Sequence, residues 1–266
     1  MVLFVNACVR EASRTLDLAK AVLSKEAGEI QEICLYPDGP EGLTCETLLE
    51  RDALLRKKEY MHPAFRWARQ FAEADVIVIA APYWDLMFPA KLRAYLEQIT
   101  VSGITFQYNA DGIPQGLCKA QRLVYVTTAG GPIVHNFGFS YVEALASCFF
   151  GITDVRLVKA EGLDIWGADV NGIMEAAKSE IQDPVNDAIC RVREMEQRFD
   201  DLQAGRLSGA EFREQLQILL RYYEGGQWLA DYRMDEAGCF PADLKRGVLS
   251  EDAVYNFLTE LEEDRL

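Results

Sequence analysis

The chain has little of what builds metal centres, disulfide frameworks or basic surfaces. It carries only two histidines, His62 and His135, in 266 residues, which excludes a three-histidine zinc site. Its seven cysteines stand at positions 8, 34, 45, 118, 148, 190 and 239, with no CxxC pair. That odd, dispersed set speaks against disulfides and iron–sulfur chemistry and reads as reduced thiols in a cytoplasmic protein. Basic residues are in deficit: 27 Lys and Arg against 42 Asp and Glu give a net charge of -15. Nucleic acid is therefore not an expected partner, because phosphate contacts need clustered Lys and Arg, and an anionic membrane is excluded as a docking surface on the same ground. No apolar run approaches the roughly 20 residues that span a bilayer. The opening MVLFVNACVREASR has no basic leader followed by a long apolar stretch, so no signal peptide is expected. Also absent are the GxGxxG and GxxxxGK[ST] phosphate loops and a GxSxG elbow.

What is present is a chain half hydrophobic by composition, enough for a sizeable core. VLFVNA, DVIVIAAP and RLVYVTTAGG are apolar without polar alternation, the pattern of strands covered on both faces. EIQEICLYP alternates, which predicts an edge strand, and DVRLVKAEG reads as a fifth strand. Between them, RTLDLAKAVLSKEAG, residues 65–74, AKLRAYLEQIT, residues 141–150 and GIMEAAKSEI read as helices, while 39–58 reads as a polar segment. This alternation predicts a parallel sheet wrapped by helices, with its binding crevice beyond the carboxyl ends of the strands. After Asp183-Pro184 the pattern turns wholly helical, in VNDAICRVREMEQRFDDLQAG, AEFREQLQILLRYYEGG and LSEDAVYNFLTELEEDRL, the last with Ser250 as N-cap. The expected division is residues 1–183 and an all-helical appendage over 184–266.

Three loops carry candidate chemistry. In NACVREASRT, small and hydroxylic residues lead into a helix and present backbone N–H groups at the positive end of its dipole. Ser13 and Thr15 add hydroxyls, and Arg10 and Arg14 add charge that an anion needs in so acidic a chain; plain helix capping by Ser13 or Thr15 is the alternative. Cys8, beside this loop, reads as packing. In APYWDLMFPA, the cluster Tyr83, Trp84, Leu86, Met87 and Phe88 suits a flat aromatic ligand, or equally a staple or dimer contact, with Asp85 polar in its midst. In TTAGGP, Gly130 and Gly131 let backbone N–H groups approach a ligand, although a tight turn alone also explains them. His135 follows, as a surface residue or as a proton donor.

Taken together, these loops resemble the flavodoxin-like NAD(P)H dehydrogenase (quinone) and FMN-dependent azoreductase family. The resemblance covers about the first 180 residues, through NACVREASRT, AAPYWDLMFPAKLRAYLEQIT, GITFQYNADGIPQGL, VTTAGG and GITDVRLVKAEG. It implies a five-stranded parallel sheet in the order 2-1-3-4-5, FMN at the switch point, NADH or NADPH as hydride donor, a homodimer, and flat quinone or azo compounds as electron acceptors. By position, Ser13, Arg14 and Thr15 would form the phosphate turn, with Arg10 added on physical grounds. Pro82, Tyr83, Trp84, Asp85 and Leu86 would run along the isoalloxazine ring, and Thr128, Ala129, Gly130 and Gly131 would lie at its other side. The sequence departs from the azoreductase pattern at Asp85, where Asn is frequent, and at Ala129, where Arg is frequent. Two-step hydride transfer is the expected activity, with His135 as the candidate catalytic side chain; a flavodoxin-type electron carrier and a redox-sensing interaction protein are the alternatives. The tail, through YYEGGQWLADYRMDEAGCFPADLKRGVLSEDAVYNFLTEL, resembles a small uncharacterised bacterial helical domain, and its Tyr222, Tyr223 and Trp228 read chiefly as that domain's own core.

Overall fold

The three strand runs without polar alternation occupy the middle of the sheet, because only strands covered on both faces can be apolar on both. The computed structural model describes residues 1–181 and 183–263. It opens with β1 (Val2–Asn6), α1 (Arg14–Leu23), β2 (Ile30–Cys34), α2 (Cys45–Arg56), α3 (Arg66–Glu73) and β3 (Val76–Ala80). There follow α4 (Ala90–Ile99), a two-stranded antiparallel hairpin of β4 (Phe106–Tyr108) and β5 (Pro114–Gly116), and β6 (Arg122–Thr128). Next come α5 (Phe137–Leu145), β7 (Asp154–Ala160) and α6 (Val170–Ser179). The main sheet is parallel in the order β2-β1-β3-β6-β7, which is 2-1-3-4-5 when the hairpin is left out of the count. The alternating strand β2 takes the edge, as its pattern predicts.

Register puts alternate residues into two cores. Leu3, Val5, Ile77, Ile79, Leu123 and Tyr125 face Phe71, Leu92, Tyr95 and Val142 of α3, α4 and α5. On the other face, Phe4, Val78, Val124 and Val126 pack on Leu18 and Val22 of α1 and on Met174 and Ala177 of α6. The segment 39–58, read from sequence as merely polar, contains α2. A reciprocal capping box between Thr44 and Thr47 starts it, but only its Leu54 is buried, so no apolar stripe announces it. The helix expected over 141–150 begins earlier, at Phe137, because the Asn136 side chain accepts the Phe139 N–H at 3.0 Å; its last turn, Ala146–Phe150, widens into a π-helix that ends at Gly151, φ 77°.

The chain divides into two compact units, one of Met1–Ser24 with Gly28–Ile181, the other of Lys25–Ala27 with the chain after Ile181. The second contains α7 (Pro184–Gln203), α8 (Gly209–Glu224), α9 (Gln227–Glu236) and α10 (Glu251–Glu263). Its core gathers Val192, Phe199, Leu219, Tyr222, Trp228, Val254 and Phe257. Trp228 Nε1–H donates to the Val248 carbonyl at 2.8 Å, and its ring stacks on Tyr232 at 5.2 Å. One buried ion pair crosses this core: Asp231, fully buried, accepts from Arg191 at 2.9 and 2.6 Å and from the Tyr222 hydroxyl at 3.0 Å. No described helix is long and apolar enough to cross a membrane.

Candidate functional site

The loops after β1, β3 and β6 leave neighbouring strands at the same end of the sheet, beside the point where the order reverses. Together with the loop after β7 they enclose a cavity of about 380 Å³. Ten of the residues singled out in the sequence line it: Arg10, Ser13, Arg14, Thr15, Pro82, Tyr83, Trp84, Thr128, Ala129 and Gly130. Asp85, Leu86, Gly131 and His135 do not. Val9, Ala12, Leu163 and Asp164 line it without having been singled out.

One end of the cavity is the start of α1. Ser13 is its N-cap, accepting the Leu16 N–H at 3.3 Å, so its hydroxyl performs the capping role. The N–H groups of Arg14 and Thr15 have no acceptor among the described residues, and they sit at the positive end of the helix dipole. Thr15 and Thr128, which the sequence assigns to separate loops, meet side chain to side chain: their hydroxyl oxygens lie 2.6 Å apart, both residues buried. Arg10 is exposed and has no protein partner among the described residues. Cys8 is buried behind this turn, and burial pushes its thiol up to about 11, with the Ser13 hydroxyl opposing the rise. A thiol so placed is neutral and unreactive, in line with a packing role.

The second wall is the β3 loop. Tyr83 N–H donates to the Thr128 carbonyl at 3.1 Å, which ties this loop to the end of β6. Asp85 and Leu86 then form a two-residue turn closed by Trp84 and Met87, whose N–H and carbonyl groups exchange bonds of 3.1 and 2.7 Å. Both turn residues take positive φ, 49° and 66°, the conformation for which Asn-Gly is favoured. This is why neither side chain lines the cavity: the turn carries them past it into solvent. Leu86 is 43% exposed, so little packing offsets the left-handed strain, about 1–2 kcal/mol. Replacing it by glycine, at an entropic cost of about 0.5–1 kcal/mol, is expected to raise the thermal midpoint by about 2 °C. A lower midpoint in calorimetry would refute the strain.

The third wall is the β6 loop. The carbonyls of Ala129, Gly130 and Gly131 accept from Leu163, Asp164 and Gly162 of the β7 loop, while the N–H groups of Gly130 and Gly131 have no acceptor among the described residues. Farther along, Glu161 accepts the Ile133 N–H at 2.9 Å and pairs with Lys159 at 3.1 Å, and that backbone donor, chiefly, holds its carboxyl below the usual carboxylate range. The Tyr83 hydroxyl donates to the His135 carbonyl at 2.8 Å. His135 thus touches the site through its backbone; its imidazole is exposed and stacks on Phe137 at 5.4 Å.

In an α/β sheet of this order the ligand crevice is expected at the switch point, which is where this cavity lies. The chain belongs to the family with the flavodoxin-like fold, whose model matches residues 1–185. A second family model, a domain of unknown function (DUF4298), matches residues 179–264. An FMN-dependent NADH:quinone oxidoreductase of Coprothermobacter proteolyticus is 37% identical over 197 residues, 68% of this chain and 96% of that protein. FMN-dependent NADH:quinone oxidoreductase 2 of Clostridium acetobutylicum is 36% identical over 180 residues, 64% of this chain and 88% of that one. Among solved structures, an azoreductase from Bacillus anthracis superposes with a TM-score of 0.59 at 26% identity, over 68% of this chain and 95% of its own.

Proposed function

We propose that the chain is an FMN-dependent NADH oxidoreductase that passes electrons to flat acceptors of the quinone or azo type. The observation that carries this reading is the set of uncommitted N–H groups at one cavity: Arg14 and Thr15 at a helix start, and Gly130 across from them. In a chain of net charge -15, unpaired donors flanked by Arg10 and Arg14 answer to an anionic ligand. A phosphate fits the Arg14 and Thr15 donors, and a ring that becomes electron-rich on reduction fits the Gly130 N–H. When bound, FMN would supply the two-electron redox chemistry between the nicotinamide and the acceptor.

The rest of the work falls to the chain's own residues. Ser13 keeps the first turn of α1 capped, so that the Arg14 and Thr15 N–H groups stay aimed at one point. Arg10 brings positive charge to the phosphate, and Arg14 offers it hydrogen-bond donors. Tyr83 and Trp84 flank the ring slot, and the Tyr83 hydroxyl steadies the His135 loop at the slot's edge. The Gly130 N–H stabilises negative charge on the ring without having to reorient. We assign His135 a backbone role, with proton donation to the acceptor as the competing reading. The His135→Ala variant is expected to keep its rate and pH profile; a lost protonation limb would restore the imidazole as proton donor.

Two further elements belong to this proposal. Trp84, Leu86, Val134 and Phe137 leave large apolar surface exposed on the loops around the cavity, which supports a homodimer joined there. The division of labour at 183/184 leaves the redox work to the first part. The test is an absorption spectrum of the full chain with FMN, taken anaerobically before and after NADH. Flavin bands that bleach rapidly are the expected outcome. Bands that persist would make the protein an electron carrier, and failure to take up FMN would sink the reading.

A further inference from the structure

The loop between β7 and α6 brings to the cavity a charge of the wrong sign for an anion site. Asp164 lines that cavity, and a carboxylate there opposes phosphate binding if charge alone decides. Three observations give it a different meaning. Its Oδ1 accepts from Arg14 Nη1 at 2.7 Å, and the neighbouring Leu163 carbonyl accepts from the same nitrogen at 3.3 Å. Arg14 Nε and Nη2, the edge that grips an oxyanion two-fold, have no acceptor among the described residues. The main chain at Asp164 is anchored, since the Gly162, Leu163 and Asp164 N–H groups bond to the β6 loop at 3.1, 3.2 and 2.8 Å, while its side chain is largely exposed. Room for it is kept by Gly130, where a Cβ would fall 2.3 Å from the Asp164 Oδ2.

We propose that Asp164 is a positioning residue: it anchors Arg14 by one nitrogen, leaves the two-donor edge free for a phosphate monoester, and so makes the site prefer phosphorylated over unphosphorylated flavin. This inference rests on the flavin reading above. Arginine side chains lose much rotamer entropy on ordering, and here that cost falls on the ligand-free protein instead of on binding. The net charge of the guanidinium–carboxylate pair is zero, so Arg10 and the α1 dipole supply the long-range attraction, and Arg14 supplies geometry.

The experiment is a fluorescence titration of the flavin-free full chain with FMN and with riboflavin, for wild type, Asp164→Ala, Asp164→Asn, Arg14→Ala and the Arg14→Ala/Asp164→Ala pair. Asp164→Ala is expected to raise the FMN Kd roughly two- to fivefold, the scale of an exposed ion pair, and to leave the riboflavin Kd unchanged. Asn, which keeps one acceptor oxygen, should recover part of the loss. Once Arg14 is gone, removing Asp164 should weaken FMN no further. Tighter FMN binding by Asp164→Ala would mean simple repulsion and overturn the proposal, as would an equal loss for riboflavin. Wild type that binds FMN alongside an unaffected Asp164→Ala overturns this inference alone. Wild type that binds neither flavin overturns the functional reading, and this with it.

Discussion

Gly116→Ala should unfold the first unit more readily than any substitution at the cavity. A Cβ at Gly116 would fall 2.2 Å from the Gly151 nitrogen, 2.2 Å from the Phe150 carbonyl carbon and 2.3 Å from its oxygen. All three are main-chain atoms, so no side chain can swing aside. Gly151 cannot readily shift either, because it ends the widened turn of 146–150 with a positive φ of 77°. The β4–β5 hairpin and this turn touch backbone to backbone. Separating them would pull on Phe106, which packs edge-on against Phe149 with 5.0 Å between ring centres. The cost is expected at about 3 kcal/mol, the upper end for overpacking, and the thermal midpoint should fall by about 6–12 °C. Chemical denaturation followed by circular dichroism measures it. A variant within about 0.5 kcal/mol of wild type, the range of ordinary surface changes, would show that the two backbones do not meet.

The second large effect belongs to the helical unit. Asp231 is fully buried, and Arg191 and Tyr222 satisfy its two oxygens. Burial, and then the Asp231 charge, pushes the Tyr222 hydroxyl well above its ordinary range, so it remains a donor. Asp231→Ala strands the guanidinium against an apolar core and leaves a cavity; the loss is expected at about 3 kcal/mol, the low end for a broken buried pair, because Arg191 keeps 28% of its side chain in solvent. Asp231→Asn should lose less, since an amide oxygen still accepts. The double variant Arg191→Met/Asp231→Leu should recover most of the stability, because two desolvated charges are removed together. Urea denaturation of all three resolves the ordering; a double variant as unstable as Asp231→Ala would mean the pair is required for packing and not merely tolerated.

How far the sequence foretold this molecule depends on where apolar residues sit. Val2–Asn6, Val76–Ala80 and Arg122–Thr128 were legible because strands buried on both faces need unbroken apolar runs, and the edge strand Ile30–Cys34 because it alternates. Cys45–Arg56 and Gln227–Glu236 were not, since each buries few side chains, and one of those in the second is the charged Asp231. At the site, residues in strand-to-helix loops stood out by type: hydroxyls, arginines, aromatics and paired glycines. Asp164 did not, because EGLDIWG holds no motif, and its meaning lies in an arginine 150 residues away. Asp85 and Leu86 were read with their aromatic neighbours as one segment along the ring. Nothing in their types announces left-handed backbone, which Asn-Gly would have done.

The placement of β1 between β2 and β3 also bears on how the chain is made. Translation delivers β1 about 70 residues before β3, which at 5–20 residues per second is roughly 4–14 s. Throughout that interval one whole edge of an apolar strand is without its partner. The β2 segment arrives earlier and covers the opposite edge, so it shields only half of what is at risk. Until β3 is made, that edge of β1 is an unpaired apolar edge of the kind that templates pairing with other chains.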